Sequence, residues 1–327
     1  MNLFNLTLIN ITLHMSLFLI LSAVLLSIIL LVSIQSIFMK KKIVDIINER
    51  SSHVSVATRS GGLAIFSSIF IISFFNYVQG NTLFDYSILV PLSLLISIGF
   101  YDDVYNIDFK LKFIFQIIAA KMIIDNGLII DNLHGVFGVF EFNRLLAHLL
   151  TMFIILSIIN SINFIDGIDG LAITITTMFI VCFESFSVNP SPFLSLSLIL
   201  LFSILPLFYF NFKDNNKIFL GDSGSHFIGG IVSVYVIYIL SNNYIIKPEF
   251  DIHKVIFVFS ILSYPIIDLI RVFIFRVLRK KSPFIADRNH IHHYLIDKYK
   301  NHKLVVTIIL FASIIIMIFS QLVFRSF

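Results

Sequence analysis

Apolar runs of about 17 to 25 residues recur along this chain, and that is the length needed to cross the hydrocarbon of a bilayer. About ten are present, at 15–39, 61–78, 85–101, 109–126, 145–163, 170–187, 192–212, 225–241, 254–275 and 304–324. Backbone polar groups in lipid must be satisfied inside the segment that carries them, so such runs are read as helices. The expected fold is an all-α polytopic membrane helix bundle of about ten transmembrane helices. Composition excludes a soluble domain: 58% of the 327 residues are apolar and 13% charged, against roughly half and about a quarter in soluble proteins. The run 109–126 is the weakest, because Lys110, Lys112 and Lys121 interrupt it. No internal repeat, low-complexity tract or shift of composition divides the chain, so 1–327 is read as a single integral membrane domain.

The first residues lack the positive segment and small-residue cleavage site of a secretory signal, so the run 15–39 is expected to be retained. The single cysteine, Cys182, sits in an apolar run and reads as a packing residue. Orientation follows the distribution of Lys and Arg in the loops. Alternate loops hold Lys40, Lys41, Lys42, Arg50 and Arg59, then Lys110 and Lys112, then Lys213 and Lys217, then Arg276, Arg279, Lys280, Lys281, Arg288, Lys298, Lys300 and Lys303. Those loops are expected to face the cytoplasm and both termini the outside. Every polar motif of the chain then falls on the cytoplasmic side.

The most informative of these motifs is Asn160-Ser-Ile-Asn163-Phe-Ile-Asp166-Gly-Ile-Asp169-Gly170. Steps of three turn a helix by about 300°, so Asn160, Asn163 and Asp166 fan across roughly one third of its surface. Carboxylates in such a place are costly and mark a functional site more often than interhelical glue. Gly167 and Gly170 permit a tight turn whose N–H groups approach an anion or a hydrated metal. Asp102 and Asp103 end an earlier apolar run. Neighbours on a helix point about 100° apart, so this pair is expected to split its duties, one toward a metal and one as a base. Gly221-Asp222-Ser223-Gly224 opens another run, with the spacing of a phosphate cradle or a metal loop beside the plain reading of an N-cap. Gly61-Gly62 at a helix mouth offers free N–H groups to a phosphate or, equally, a close helix contact.

Five carboxylates gathered at one membrane face would repel one another without a cation. Oxygen ligands with no Cys or His set suited to zinc point to Mg²⁺ or Mn²⁺. In the last loop His290 and His293 share a helical face and His292 turns away. Amid Arg276, Arg279, Lys280, Lys281 and Arg288 they read as a clamp for a diphosphate.

Together, the stretches Asn48 to His53, Asp102-Asp103, Asn160 to Ala172, Gly221 to Ser225 and Ser282 to Leu295 resemble the polyprenyl-phosphate N-acetylhexosamine-1-phosphate transferases. That family includes the phospho-N-acetylmuramoyl-pentapeptide transferase of peptidoglycan synthesis. The resemblance implies a Mg²⁺-dependent transfer of sugar-1-phosphate from a UDP-amino sugar to undecaprenyl phosphate, with release of UMP, at the bacterial cytoplasmic membrane. His290-Ile-His292-His293 looks like the branch that starts O-antigen, common-antigen or teichoic-acid units in lipopolysaccharide or cell-wall biogenesis, rather than the muramoyl branch. Two departures stand in the loops that would read sugar and nucleotide. Val56 to Ser60 precedes two glycines where the family has Pro-rich text and three, and Asn215-Asn216 replaces a common Pro-Ala.

On that resemblance Asp102, Asp103, Asp166 and Asp169 are the expected catalytic carboxylates, and Asp222 with Asp103 or Asp166 the expected metal ligands. Asp45, Asn48, His53, Asn160, Asn163, Lys217, Arg276, His290, His292 and His293 are the expected substrate contacts. The expected partners are the UDP-amino sugar, undecaprenyl phosphate and the bilayer, with no nucleic acid, and the oligomeric state is left open. Two other classes remain at this point. An intramembrane aspartyl protease would use Tyr101-Asp102 and a Gly-x-Gly-Asp loop, whose first glycine is here Phe219. A cation-coupled transporter would set its carboxylates near the midplane.

Overall fold

The computed structural model describes residues 3–45, 56–241, 244–280 and 289–324, the side chains of 3–15 and 137 excepted. Asn48, His53 and the stretch 281–288 lie outside the described residues.

All ten apolar runs form helices. They are α1 (Leu3–Lys40), α2 (Gly61–Val78), α3 (Leu89–Tyr105), α4 (Phe109–Asp125), α5 (Arg144–Ile165), α6 (Leu171–Phe186), α7 (Leu194–Phe212), α8 (Gly221–Leu240), the pair α9 (Lys254–Ile261) and α10 (Ser263–Leu278), and α12 (His302–Val323). A short amphipathic helix, α11 (Ile291–Tyr299), precedes the last. Among the described residues, by length and composition, 7 helices suffice to cross a membrane singly, and the pair α9 and α10, bent by 78°, makes up to 8. The difference from ten lies in α4 and α6, which have 17 and 16 residues. This is a multi-pass membrane protein.

Local signals set the helix ends. Asp108, Asn143 and Asn301 each accept a backbone N–H of the first turn of α4, α5 and α12, the usual means of satisfying an orphan donor. Asn106 closes α3 in the left-handed region, at φ 50°. Pro265 sits in the first turn of α10 just after the bend, where its missing N–H breaks no helical bond.

Helix α8 is the axis of the bundle, buried on almost every side and packed chiefly on α3 and α5. Its small residues explain this, because lipid gives no hydrophobic drive between helices and close backbone approach must supply the attraction. A Cβ at Gly62 would lie 2.2 Å from the backbone of Gly224, and one at Gly99 would lie 2.4 Å from the Asp222 carbonyl. The Gly61-Gly62 pair is therefore a helix crossing. Its N–H groups donate to the carbonyls of Phe219 and Leu220, both at 2.9 Å, and none is left for a phosphate.

Two residues of strand on either side finish this end of the bundle. β1 (Ala57–Thr58) pairs in parallel with β2 (Lys217–Ile218), Ala57 opposite Lys217, which ties the first loop to the mouth of α8. Motif loops that are distant in sequence thus meet at one end.

Candidate active site

Asp103, its side chain fully buried at the end of α3, turns its carboxylate onto the start of α8. It accepts the backbone N–H of Asp222 and of Ser223, each at 2.9 Å. Gly221, at φ +76°, allows this approach, since a Cβ there would lie 2.8 Å from Asp103 Oδ2. The anion at this helix mouth is the protein's own carboxylate, which the positive end of the helix favours. The expected phosphate cradle at Gly221 to Gly224 is accordingly filled.

Asp102 faces another way. Its Oδ1 accepts the N–H of Ile107 at 2.8 Å and its Oδ2 receives Lys112 Nζ at 2.8 Å. Lys112 also stands 3.5 Å from Asp222 Oδ2, so one ammonium joins two of the predicted carboxylates. On the other side of Asp222, Asn163 Nδ2 donates to Oδ1 at 3.0 Å and to Ser225 Oγ at 2.8 Å. Arg59 pairs with Asp45 at 2.6 Å and approaches Asp103 at 3.7 Å. Burial works against the Arg59 charge, but Asp45, Asp103 and Asp222 outweigh it and hold its pKa above the ordinary value.

Asp166 follows α5 and has no side-chain hydrogen bond among the described residues. Burial, then the charges of Asp222 and Asp103, push its carboxyl well above the usual carboxylate range. Asp169 is engaged instead. It pairs with Lys217, and His302 Nδ1 lies 3.2 Å from its Oδ2. Burial would raise its pKa, but these partners pull it below the ordinary value.

A cavity of about 330 Å³ gathers Lys112, Asn160, Asn163, Asp166, Asp222, His226, Arg276, His290 and His293. Asn160 lines it while sharing an amide pair with Gln116, Nδ2 to Oε1 at 2.9 Å. Arg276, 2% exposed, lies against Phe164, its guanidinium 5.9 Å from the ring centre. The histidines divide as their helical spacing predicts. His290 and His293 line the cavity, whereas His292 is buried with Nδ1 2.9 Å from the Tyr264 hydroxyl. Burial, with His293 and His290 nearby, drives its pKa well below the ordinary histidine value. His292 Nε2 finds no hydrogen-bond partner among the described residues and abuts Gly167, where a Cβ would come within 2.7 Å of it.

Beside this polar cavity runs an apolar groove of about 400 Å³ between α4, α5 and α10, which shares Phe113, Asn160, Phe164 and Arg276 with it.

Among the described residues no group of three or more His, Cys, Asp or Glu side chains is placed to hold a metal ion. Asp222, Asp103 and Asp166 do not close into a cage, because Asp103 is spent on the α8 backbone. Asp166 and Asp222 nevertheless share the cavity with hard oxygen donors. That donor set fits Mg²⁺, which takes one or two carboxylates and completes its shell with water and substrate phosphate.

Sequence reasoning passed over Lys112, Arg59, Gln116, Tyr264, Asp268 and His302. For Lys112 and Asp268 a signal existed, since each is a charge inside an apolar run.

Residues 86–240 match the model of glycosyl transferase family 4. Over 296 residues the chain is 32% identical to a probable undecaprenyl-phosphate N-acetylglucosaminyl 1-phosphate transferase of Bacillus subtilis, covering 90% of this chain and 80% of that one. The chain belongs to glycosyl transferase family 4. Two further relatives carry related names. An undecaprenyl-phosphate alpha-N-acetylglucosaminyl 1-phosphate transferase of Pasteurella multocida is 30% identical over 87% of this chain and 80% of its own. A decaprenyl-phosphate N-acetylglucosaminephosphotransferase of Mycobacterium leprae is 27% identical over 80% and 72%. The family 4 segment holds Asp102, Asp103, Asp166, Asp169 and Asp222, while Arg276, His290, His292 and His293 lie beyond it.

Proposed function

We propose that this chain transfers an N-acetylhexosamine-1-phosphate from a UDP-sugar to undecaprenyl phosphate, releasing UMP, at the cytoplasmic face of a bacterial cytoplasmic membrane. The relatives named above make N-acetylglucosamine the first sugar to test, and favour this reading over muramoyl-pentapeptide transfer, proteolysis or cation transport. The observation that carries the proposal is the junction of two spaces. A charged cavity suited to a diphosphate shares Asn160, Phe164 and Arg276 with an apolar groove suited to a polyprenyl chain. A lipid phosphate entering sideways along that groove arrives at the cavity with its chain still among apolar side chains.

In the reaction, an oxygen of the lipid phosphate bonds to the β-phosphorus of the UDP-sugar. The bond from that phosphorus to the bridging oxygen of UMP breaks, and the electron pair leaves with UMP. One phosphoanhydride replaces another, so the protein's task is positioning and charge neutralisation. A phosphate monoester loses its second proton near pH 6 and needs little help from a base at neutral pH. Asp102 therefore serves best as the anchor of Lys112, whose ammonium faces the diphosphate together with Arg276, His290 and His293. Mg²⁺, held by Asp222 and Asp166, would supply charge neutralisation at the diphosphate. Asn163 holds Asp222 in the orientation this requires, and Asp169 with Lys217 and His302 fixes the turn that carries Asp166.

The test is to incubate purified protein with UDP-N-acetylglucosamine radiolabelled in the sugar and undecaprenyl phosphate, then separate lipid from water-soluble products. Sugar label in the lipid fraction with matching UMP supports the reading. Absence of both with every UDP-N-acetylhexosamine refutes it.

A further inference from the structure

We infer that Asp268 is a positioning residue for His290, and that the pair presents one defined ring nitrogen to the diphosphate cavity. This rests on the transferase reading above.

Asp268 is 1% exposed within α10, where an ionisable side chain is costly unless its oxygens are occupied. Both are. Oδ1 accepts the N–H of Ile291 at 2.9 Å and Arg271 Nη2 at 3.0 Å. Oδ2 lies 2.6 Å from His290 Nδ1. His290 lines the cavity and Asp268 does not, so the carboxylate holds the ring from behind. Phe164, 5.5 Å away, and His292, stacked at 5.4 Å and 13°, flank the ring. A carboxylate on Nδ1 fixes that nitrogen as the donor and leaves Nε2 for whatever occupies the other side. Nε2 has no bond among the described residues, and in the imidazolium form it donates to a phosphate oxygen.

A purely architectural role is the competing explanation, because the Ile291 amide caps the start of α11 on the same carboxylate. That role would be felt whether or not residue 290 is a histidine, whereas positioning would not.

The experiment measures the affinity of purified full-length protein for UDP-N-acetylglucosamine with Mg²⁺, by calorimetry, for the wild type, His290→Ala, Asp268→Asn and the double variant. Loss of one charge-assisted hydrogen bond weakens binding about tenfold in His290→Ala. Asp268→Asn is expected to bind about fivefold more weakly, and the double variant within about twofold of His290→Ala. Wild-type affinity in Asp268→Asn, or a double variant that loses a further fivefold or so, overturns the proposal. Should Asp268→Asn not fold, nitrogen NMR of histidine-labelled wild type, assigned with His290→Ala, decides. A hydrogen-bonded proton on Nδ1 supports the pair, and a neutral ring protonated on Nε2 alone overturns it. Binding that follows this pattern without turnover would count against the transferase reading and leave the pair standing. Turnover with an additive cycle would do the reverse.

Discussion

Asp103 caps the helix that begins with Gly221-Asp222: its Oδ1 accepts the Asp222 N–H at 2.9 Å, joining the end of α3 to the start of α8 at the floor of the site. Asp103→Ala removes that cap and is expected to lower stability by about 1–2 kcal/mol. It also lets Asp222 shift, so turnover falls about a hundredfold. Asp103→Asn keeps a single acceptor and lies between. Thermal unfolding and UMP release on the same samples measure the two effects, and an alanine variant with unchanged turnover contradicts the assignment.

Lys112 is the ammonium shared by Asp102 and Asp222. Its removal leaves Asp102, 5% exposed, without a cation and takes a positive charge from the diphosphate. Lys112→Ala is expected to cost two to three orders of magnitude in kcat, on the order of an oxyanion-hole donor, with a smaller change in KM. Steady-state kinetics on Lys112→Ala and Lys112→Arg test this, arginine restoring charge but not the compact ammonium.

The crossing of α2 on α8 tolerates no side chain at Gly62. Alanine there meets the Gly224 backbone at 2.2 Å, and overpacking of this kind costs about 1–3 kcal/mol or more. Gly62→Ala is expected to reduce the yield of monodisperse protein sharply. Gly80→Ala is the control, with nothing within 4 Å among the described residues and only its φ of +78° to oppose it, a cost of about 1–2 kcal/mol. Equal behaviour of the two variants in size-exclusion profiles would contradict the packing.

Asp169 gives a pH signature. Its pKa is depressed by Lys217 and His302 against the opposing effect of burial, so the paired carboxylate stabilises the fold above the unfolded value of about 3.9. That contribution is lost as pH falls through the lower folded value. Asp169→Asn breaks a buried pair and is expected to cost about 3 kcal/mol at neutral pH. The gap to wild type in thermal unfolding should narrow below about pH 4.

Chelation bears on the metal. With Asp166 and Asp222 as its carboxylates, activity is expected to vanish in excess EDTA and to return with Mg²⁺ or Mn²⁺ rather than Zn²⁺. Full turnover in EDTA after dialysis would contradict the assignment.

The helices were legible because lipid allows few ways of hiding a backbone, and every apolar run became a helix. The convergence of Asp102, Asp166 and Asp222 was legible as well, because charges at helix mouths on one side have few places to go. Partner choice was not. Asp102 and Asp103 adjoin in sequence, yet one takes a lysine from α4 and the other the backbone of α8, a division set by the α3–α8 crossing. Asp268 and Tyr264 sit in a run that reads as membrane filler, and their roles depend on α11 folding back over α10. Gly61-Gly62 read equally as an anion site or a contact, and the β1–β2 pairing that commits their N–H groups joins residues too far apart to be seen in the chain.

The most direct measurement of the central claim places the radiolabel on the β-phosphate of UDP-N-acetylglucosamine and follows it in vesicles containing the protein and undecaprenyl phosphate. The account predicts that label enters the lipid together with the sugar, one UMP appearing for each, and that Asp222→Ala abolishes it. Label remaining in water-soluble UDP while sugar alone reaches the lipid, or no transfer by the wild type with any UDP-N-acetylhexosamine, would contradict it.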